Sequence, residues 1–205
     1  MQIYIVPTKA LETLTKRHSP KAQTPPFLAN KTISGPNLRS DDARNCSILY
    51  LTNGQPEKST MIHLDSSLVP WKRAKSVVKK TLSGLQETST PLDGFLGGAW
   101  GHKRPSRKLS DRLAKLLKSH GVQLTEMRLI ERPDNPYETS CIGVFDPKLG
   151  RRLYVAVNMT GQKGPHGSLT CESTFPILFK NINFSPAHRI EFTQQPHGPS
   201  KILEA

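Results

Sequence analysis

Cys46 and His63 are the residues whose types and spacing are best suited to chemistry. A thiol becomes a nucleophile when a neutral imidazole takes its proton, or when an imidazolium stabilises the thiolate. The two stand seventeen residues apart, and the stretch between them reads as two strands and a reversal. Ser47–Thr52 is rich in β-forming residues, Ser59–Leu64 is its natural partner, and Asn53-Gly54-Gln55-Pro56 lies between them. A turn centred between Gly54 and Gln55 sets Cys46 directly opposite His63. Opposed residues on one sheet face have Cβ atoms about 4.5–5.5 Å apart, so thiol and ring can meet. A slip of one residue would put them on opposite faces. Taken alone, the pair also fits a small core hydrophobe and a satisfied structural histidine. Zinc is the weaker alternative: the chain has no C-x-x-C and no H-x-x-x-H, and Cys141 and Cys171 are isolated.

The elements that must position this pair can be read from periodicity. Residues 8–17 place Ala10, Leu11 and Leu14 on one helical face. Residues 18–39, with Pro20, Pro25, Pro26, Gly35 and Pro36, read as loop. Residues 72–85 put Ala74, Val77, Val78 and Leu82 on one face with lysines opposite, and Gly84 is the expected end of that helix. Leu92–Ala99 reads as a strand running into a glycine loop. Ser106–His120 is a second amphipathic helix with a Leu109, Leu113, Leu116, Leu117 stripe, Ser106 as N-cap and Gly121 after its end. Val122–Ile130 is a strand, and Ser140–Phe145 with Arg152–Val157 forms a hairpin around Asp146–Gly150. Short strands are expected within Leu169–Phe175, Ile177–Phe184 and Arg189–Phe192, with a loose tail from Gln194. Seven to nine strands with two strong helices imply an α/β or α+β domain.

The run Ser40-Asp41-Asp42-Ala43-Arg44-Asn45-Cys46-Ser47-Ile48, followed by His63-Leu64-Asp65, resembles the protein N-terminal asparagine amidohydrolases. The resemblance continues through Phe95-Leu96-Gly97-Gly98 and the Ser106–His120 helix to the Glu131–Asn158 region, covering roughly residues 38–158. The Cys–His spacing is also similar to that of the bacterial chemoreceptor glutamine deamidases. Those carry a Thr six residues before the Cys, where this chain has Ser40. The resemblance implies a four-layer α/β/β/α arrangement, a mixed β-sandwich flanked by helices, within one domain spanning 1–205. Residues 1–39 would be the N-terminal helix and Pro-rich loop, 40–158 the catalytic core, and 159–205 C-terminal strands and tail.

It also implies a Cys46, His63, Ser40 triad that deamidates N-terminal Asn or a protein Gln through a thioester. The oxyanion would be held by the backbone N–H of Cys46 and a neighbour. Ser40 would fix the His63 tautomer or bond the substrate amide. Asp41 and Asp42 are candidates for holding a substrate α-amino group, or for turn and cap chemistry. Asp65 is a candidate for orienting His63 if its strand is regular. Gly97 and Gly98 either let backbone approach the site closely or form an ordinary strand-end turn. No cofactor or metal is expected. An amine in place of water at the thioester would give transglutamination.

Composition bounds the alternatives. A chain of 205 residues can bury roughly 70% of its unfolded surface, and a mean hydropathy of −0.47 is polar without implying disorder. No run of 18 apolar residues is present, and Met1–Ala10 lacks the form of a signal peptide, so a membrane partner is not expected. Three scattered cysteines fit reduced thiols in a cytoplasmic setting. Delivery to a host cell by a secretion system needing no cleavable signal is compatible with the same features. The net charge is +13, with twelve Lys/Arg against three acids between Lys72 and Lys118. That face is either a solvated helical surface or a site for an acidic protein partner. A nucleic-acid-binding module without catalysis is the alternative function. It is disfavoured by the lack of a recognised motif and by only thirteen aromatic residues.

Overall fold

The computed structural model describes residues 1–6, 8–22, 31–43, 46–65, 69–86, 90–98, 104–130, 137–159, 168–172, 177–179 and 191–194. In chain order the elements are β1 (Gln2–Ile5), α1 (Thr8–His18), β2 (Lys21–Ala22), β3 (Lys31–Ser34), β4 (Leu38–Ala43), β5 (Cys46–Thr52) and β6 (Ser59–Asp65). There follow α2 (Trp71–Leu85), β7 (Asp93–Gly98), α3 (Arg104–Ser119), β8 (Gln123–Ile130), β9 (Tyr137–Asp146) and β10 (Gly150–Met159). Three short strands complete the set: β11 (Ser168–Glu172), β12 (Ile177–Phe179) and β13 (Glu191–Gln194). The protein is mixed α/β, with two mixed sheets and three helices among the described residues. One sheet has the order β12-β1-β10-β9-β4-β2, the other β13-β11-β8-β7-β5-β6-β3.

Alternation along β5 shows how the sheets are buried. Ile48 and Tyr50 point to one face, where they join Met61 and Phe95 of their own sheet and Ile3, Leu38, Cys141 and Val155 of the other. Leu49 and Leu51 point the opposite way, with Ile62 and Leu64, against Ala74, Val78 and Leu82 of α2 and Leu113 and Leu117 of α3. A strand covered on both faces reads as a continuous apolar run, and Ser47–Thr52 is one. The outer face of the first sheet buries Tyr4, Ile142 and Ala156 against Leu11 of α1. Each large side chain so buried contributes roughly 1.5–3 kcal/mol.

Both strong helices form as their apolar stripes predict, and the α3 stripe of Leu109, Leu113, Leu116 and Leu117 is buried. Their ends differ from expectation. Leu85 is itself buried, which carries α2 one residue past Gly84. Helix α3 starts at Arg104, so Ser106 lies within its first turn, buried, and is not the N-cap. The expected loop over residues 18–39 contains β2, β3 and the start of β4. Thr32 and Ile33 are β-branched and pair with β6 in the second sheet, and the Gly35-Pro36 turn passes the chain to the first. The N-terminal Gln2–Ile5, too short for periodicity to reveal, forms a parallel strand between β10 and β12. The hairpin around Asp146–Gly150 has Gly150 opposite Asp146, as expected. The expected tail lies outside the described residues beyond Gln194. No described helix is long and apolar enough to cross a membrane.

Candidate active site

The β5–β6 hairpin forms, but its turn sits one residue later than predicted. The Asn53 amide donates to the Lys58 carbonyl at 3.2 Å, closing the loop. Within it Asn53 Oδ1 accepts from the Gln55 amide at 3.1 Å, and Gly54 supplies a φ of +85°. The loop is also gripped from outside. The buried guanidinium of Arg151 on β10 donates to the Gln55 carbonyl at 2.6 Å and to those of Pro56 and Pro36. Moving the turn centre by one residue moves the pairing by two. Cys46 is therefore opposite Asp65, and Ile48 is opposite His63, correcting the expected Cys46–His63 register pair. A shift of two preserves the face. Cys46 and His63 are diagonal neighbours, with Cβ atoms about 7 Å apart, a span within reach of a long or aromatic side chain.

Ser40 completes the group from the other sheet. Its Oγ lies 2.9 Å from His63 Nδ1 in a buried hydrogen bond that bridges the two sheets. Ser40 is opposite Cys141 on β9, and the pairing of β4 slips between Ser40 and Ala43. Such a bulge redirects the chain, here at the residues that lead to Cys46. A proton on Nδ1, donated to Ser40 Oγ, would leave the lone pair on Nε2 to act as base. The contact with His63 Nδ1 fits the expected role of Ser40 in holding the ring.

Electrostatics assign the resting protonation. Burial, opposed by the Asp65 and Asp41 charges, pulls His63 down to about 4. Burial, reinforced by Asp65, pushes the Cys46 thiol up to about 12. The resting pair is a neutral thiol beside a neutral imidazole, not a thiolate held by an imidazolium. Asp65 acts on both groups by charge, and Ser40 Oγ contacts the His63 ring.

The other candidates separate. Arg39 Nε donates to both oxygens of Asp41, at 2.9 and 2.7 Å, and Arg39 also reaches Thr15 of α1. Alternation along β4 turns Asp41 outward while Ser40 points in, so Asp41 is not gathered with Cys46 and His63. Asp42 lies in the same strand, but its side chain is outside the described residues. Gly98 meets the expectation of close backbone approach: its φ is +82°, and a Cβ there would stand 2.4 Å from the Cys46 carbonyl oxygen. Gly97 instead makes room for the Phe95 ring, which a Cβ would meet at 2.6 Å, so its role is packing.

Residues overlooked in the sequence also hold the site. Ser110 of α3 contacts the hydroxyl of Ser47, beside Cys46, at 3.0 Å. Cys141 is fully buried behind Ser40, and its side chain gives no sequence signal that separates it from a core residue. Among the described residues no cluster of His, Cys, Asp or Glu could hold a metal ion. A groove of about 520 Å³ lined by Ser34, Lys58, Val77 and Thr81 lies at the hairpin-loop end of the sheet, away from Cys46. No protein-family model matches the chain, and no curated protein matches it.

Proposed function

We propose that the chain is a cysteine amidohydrolase that deamidates a side-chain carboxamide of a protein or peptide. The observation that carries this reading is the buried Ser40–His63 bond on the inner face that also bears Cys46. A hydroxyl holding one nitrogen of an imidazole, with a thiol diagonal to it, is a nucleophile–base–orienter set. Helices on the outer face of each sheet, with the sheets sharing a core, agree with the four-layer α/β/β/α deamidase-like arrangement that the resemblance implies.

In the proposed reaction His63 Nε2 takes the thiol proton as Cys46 Sγ attacks the carboxamide carbon. The oxyanion forms near the backbone N–H of Cys46. The imidazolium then protonates the departing nitrogen, ammonia leaves and a thioester remains. His63 next deprotonates a water that attacks the thioester, and the proton returns to the thiolate as the carboxylic acid leaves. The protonation states constrain timing. With burial holding the His63 ring down to about 4 and the Cys46 thiol up to about 12, charge separation is disfavoured at rest. Proton transfer therefore proceeds with attack, after substrate has changed the surroundings of the thiol.

N-terminal Asn is the leading substrate and an internal protein Gln the second. The test is ammonia release from peptides bearing N-terminal Asn, N-terminal Gln or internal Gln, with folded Cys46→Ala alongside. Release by the wild type alone supports the reading. Release from no peptide, or equal release by Cys46→Ala, overturns it.

A further inference from the structure

Strand β5 begins at Cys46, and its antiparallel neighbours β6 and β7 end beside it at Asp65 and Gly98. The helix after each of those ends starts six residues later, α2 at Trp71 and α3 at Arg104. Both helices thus begin at the Cys46 end of the sheet and run toward its far end across the outer face. Contacts at each end fix this alignment. Ser110 touches Ser47, and the Arg112 guanidinium lies 5.7 Å from the Trp71 ring centre. At the far end the Asn53 side-chain Nδ2 donates to the Leu85 carbonyl, and Gln86 Nε2 to that of His120.

The inward stripes of α2 and α3 are apolar, and their outward faces are cationic. Near the Cys46 end stand Lys72, Arg73, Lys75, Arg107, Lys108 and Arg112, all exposed. Asp111 is the one acid in either helix. We propose that this near-end cluster is a docking rim for an acidic segment of the substrate protein, lying across the end of the sheet from the inner face where the carboxamide would meet Cys46. The proposal rests on the deamidase reading and names its substrate class. Seven residues of helix separate Lys72 from Lys79, which is about 10 Å, close to one Debye length at physiological salt. A short acidic segment at the rim therefore interacts with the near cations and hardly with the far ones. An acidic protein fits better than single-stranded nucleic acid. Trp71 is the one aromatic in the two helices, and Arg112 lies over its ring, so among the described residues the two helices offer no open platform for stacked bases.

The experiment compares peptides with one target carboxamide flanked by Glu/Asp, by Ser or by Lys, at low and high salt. A few exposed charge pairs give about tenfold in kcat/KM. Acidic flanks should thus be preferred about tenfold at low salt, and less at high salt. Reversing the near cluster (Lys72→Glu, Arg73→Glu, Lys108→Glu) should remove the preference. At physiological salt, where the separation is about one Debye length, the charge-matched far set (Lys79→Glu, Lys80→Glu, Lys115→Glu) should retain it. Ammonia release without preference for acidic flanks overturns the rim while leaving the deamidase reading intact. Equal loss from both variants also overturns it, as does stronger competition by single-stranded RNA than by an acidic peptide. No release from any peptide defeats the underlying reading and the rim with it.

Discussion

Replacing Asp65 by Asn tests the electrostatics of the candidate site at the residue directly opposite Cys46. Opposed side chains have Cβ atoms about 5 Å apart. With an effective dielectric between about 20 and 80, a carboxylate there raises the cost of a thiolate by about 1–3 kcal/mol, or about one to two pKa units. Desolvation remains in the variant, so the Cys46 thiol should fall only part of the way from about 12. The assay is alkylation by iodoacetamide near pH 8, resolved to Cys46 by mass spectrometry. Each unit of lowered pKa gives about tenfold more thiolate, offset by reduced intrinsic nucleophilicity, so the net acceleration should be about three- to tenfold. Asp41→Asn is the control: Asp41 acts on His63 and Cys141, while the charge that acts on Cys46 is that of Asp65. Unchanged or slower alkylation of Cys46 in folded Asp65→Asn would show that the carboxylate does not govern the thiol.

Ser40→Ala removes the hydroxyl from His63 Nδ1 and should lower kcat about 10- to 100-fold, matching 1–3 kcal/mol for a buried polar group left unsatisfied. Ser40→Thr, which keeps a hydroxyl at that place, should retain most of the turnover. Gly98→Ala forces a Cβ toward the Cys46 carbonyl at a φ of +82°. It should destabilise the fold by about 1–3 kcal/mol and reduce ammonia release, measured by urea unfolding and by turnover of the folded fraction. His63 stays neutral in the fold, with its pKa lowered from 6.5 to about 4. The unfolded chain therefore binds the proton first, so this contribution is fully present above about 6.5 and is lost as pH falls toward 4. Wild type should lose about 2–3 kcal/mol more than His63→Gln between pH 7 and 4.5, and identical pH profiles would contradict the burial of His63.

The sequence made the middle of the fold legible where periodicity was long enough to count. The stripes of α2 and α3 and the apolar run of β5 each repeat several times, and each forms. Strands of two to four residues, such as β1 and β2, offer no such repetition, and they exist because neighbouring strands supply their hydrogen bonds. The hairpin was legible as a hairpin but not in its register. Asn53 and Gly54 announce a reversal, but its centre also depends on Arg151, almost a hundred residues away, which holds the Gln55 and Pro56 carbonyls. Local turn chemistry cannot contain that constraint. Ser40 entered through resemblance alone, because a serine on a strand carries no mark of the histidine that folding sets against it. Asp41 is adjacent in sequence to Ser40 yet is turned toward Arg39, which itself reaches Thr15 of α1.

The survival of the Cys46–His63 relation despite the displaced turn follows from parity. A hairpin can move its turn by whole residues and keep the same side chains on the inner face; only a half-step exchanges faces. The inner face is otherwise the place of Ile48, Tyr50, Met61 and Phe95, where an imidazole is an expensive choice. A buried histidine must forgo its charge, and its ring nitrogens need partners in a core that offers few. Ser40 answers one nitrogen from the opposite sheet. Gly98 accepts a left-handed backbone so that β7 can pass close to the Cys46 carbonyl. A leucine in place of His63, an apolar residue in place of Ser40 and a side chain on an ordinary strand in place of Gly98 would satisfy the packing rules better. Three departures from those rules, contributed by β6, β4 and β7, meet around one thiol. Close packing accounts for Gly98, and under the proposed reading a thiol that needs a base and an orienting hydroxyl accounts for His63 and Ser40.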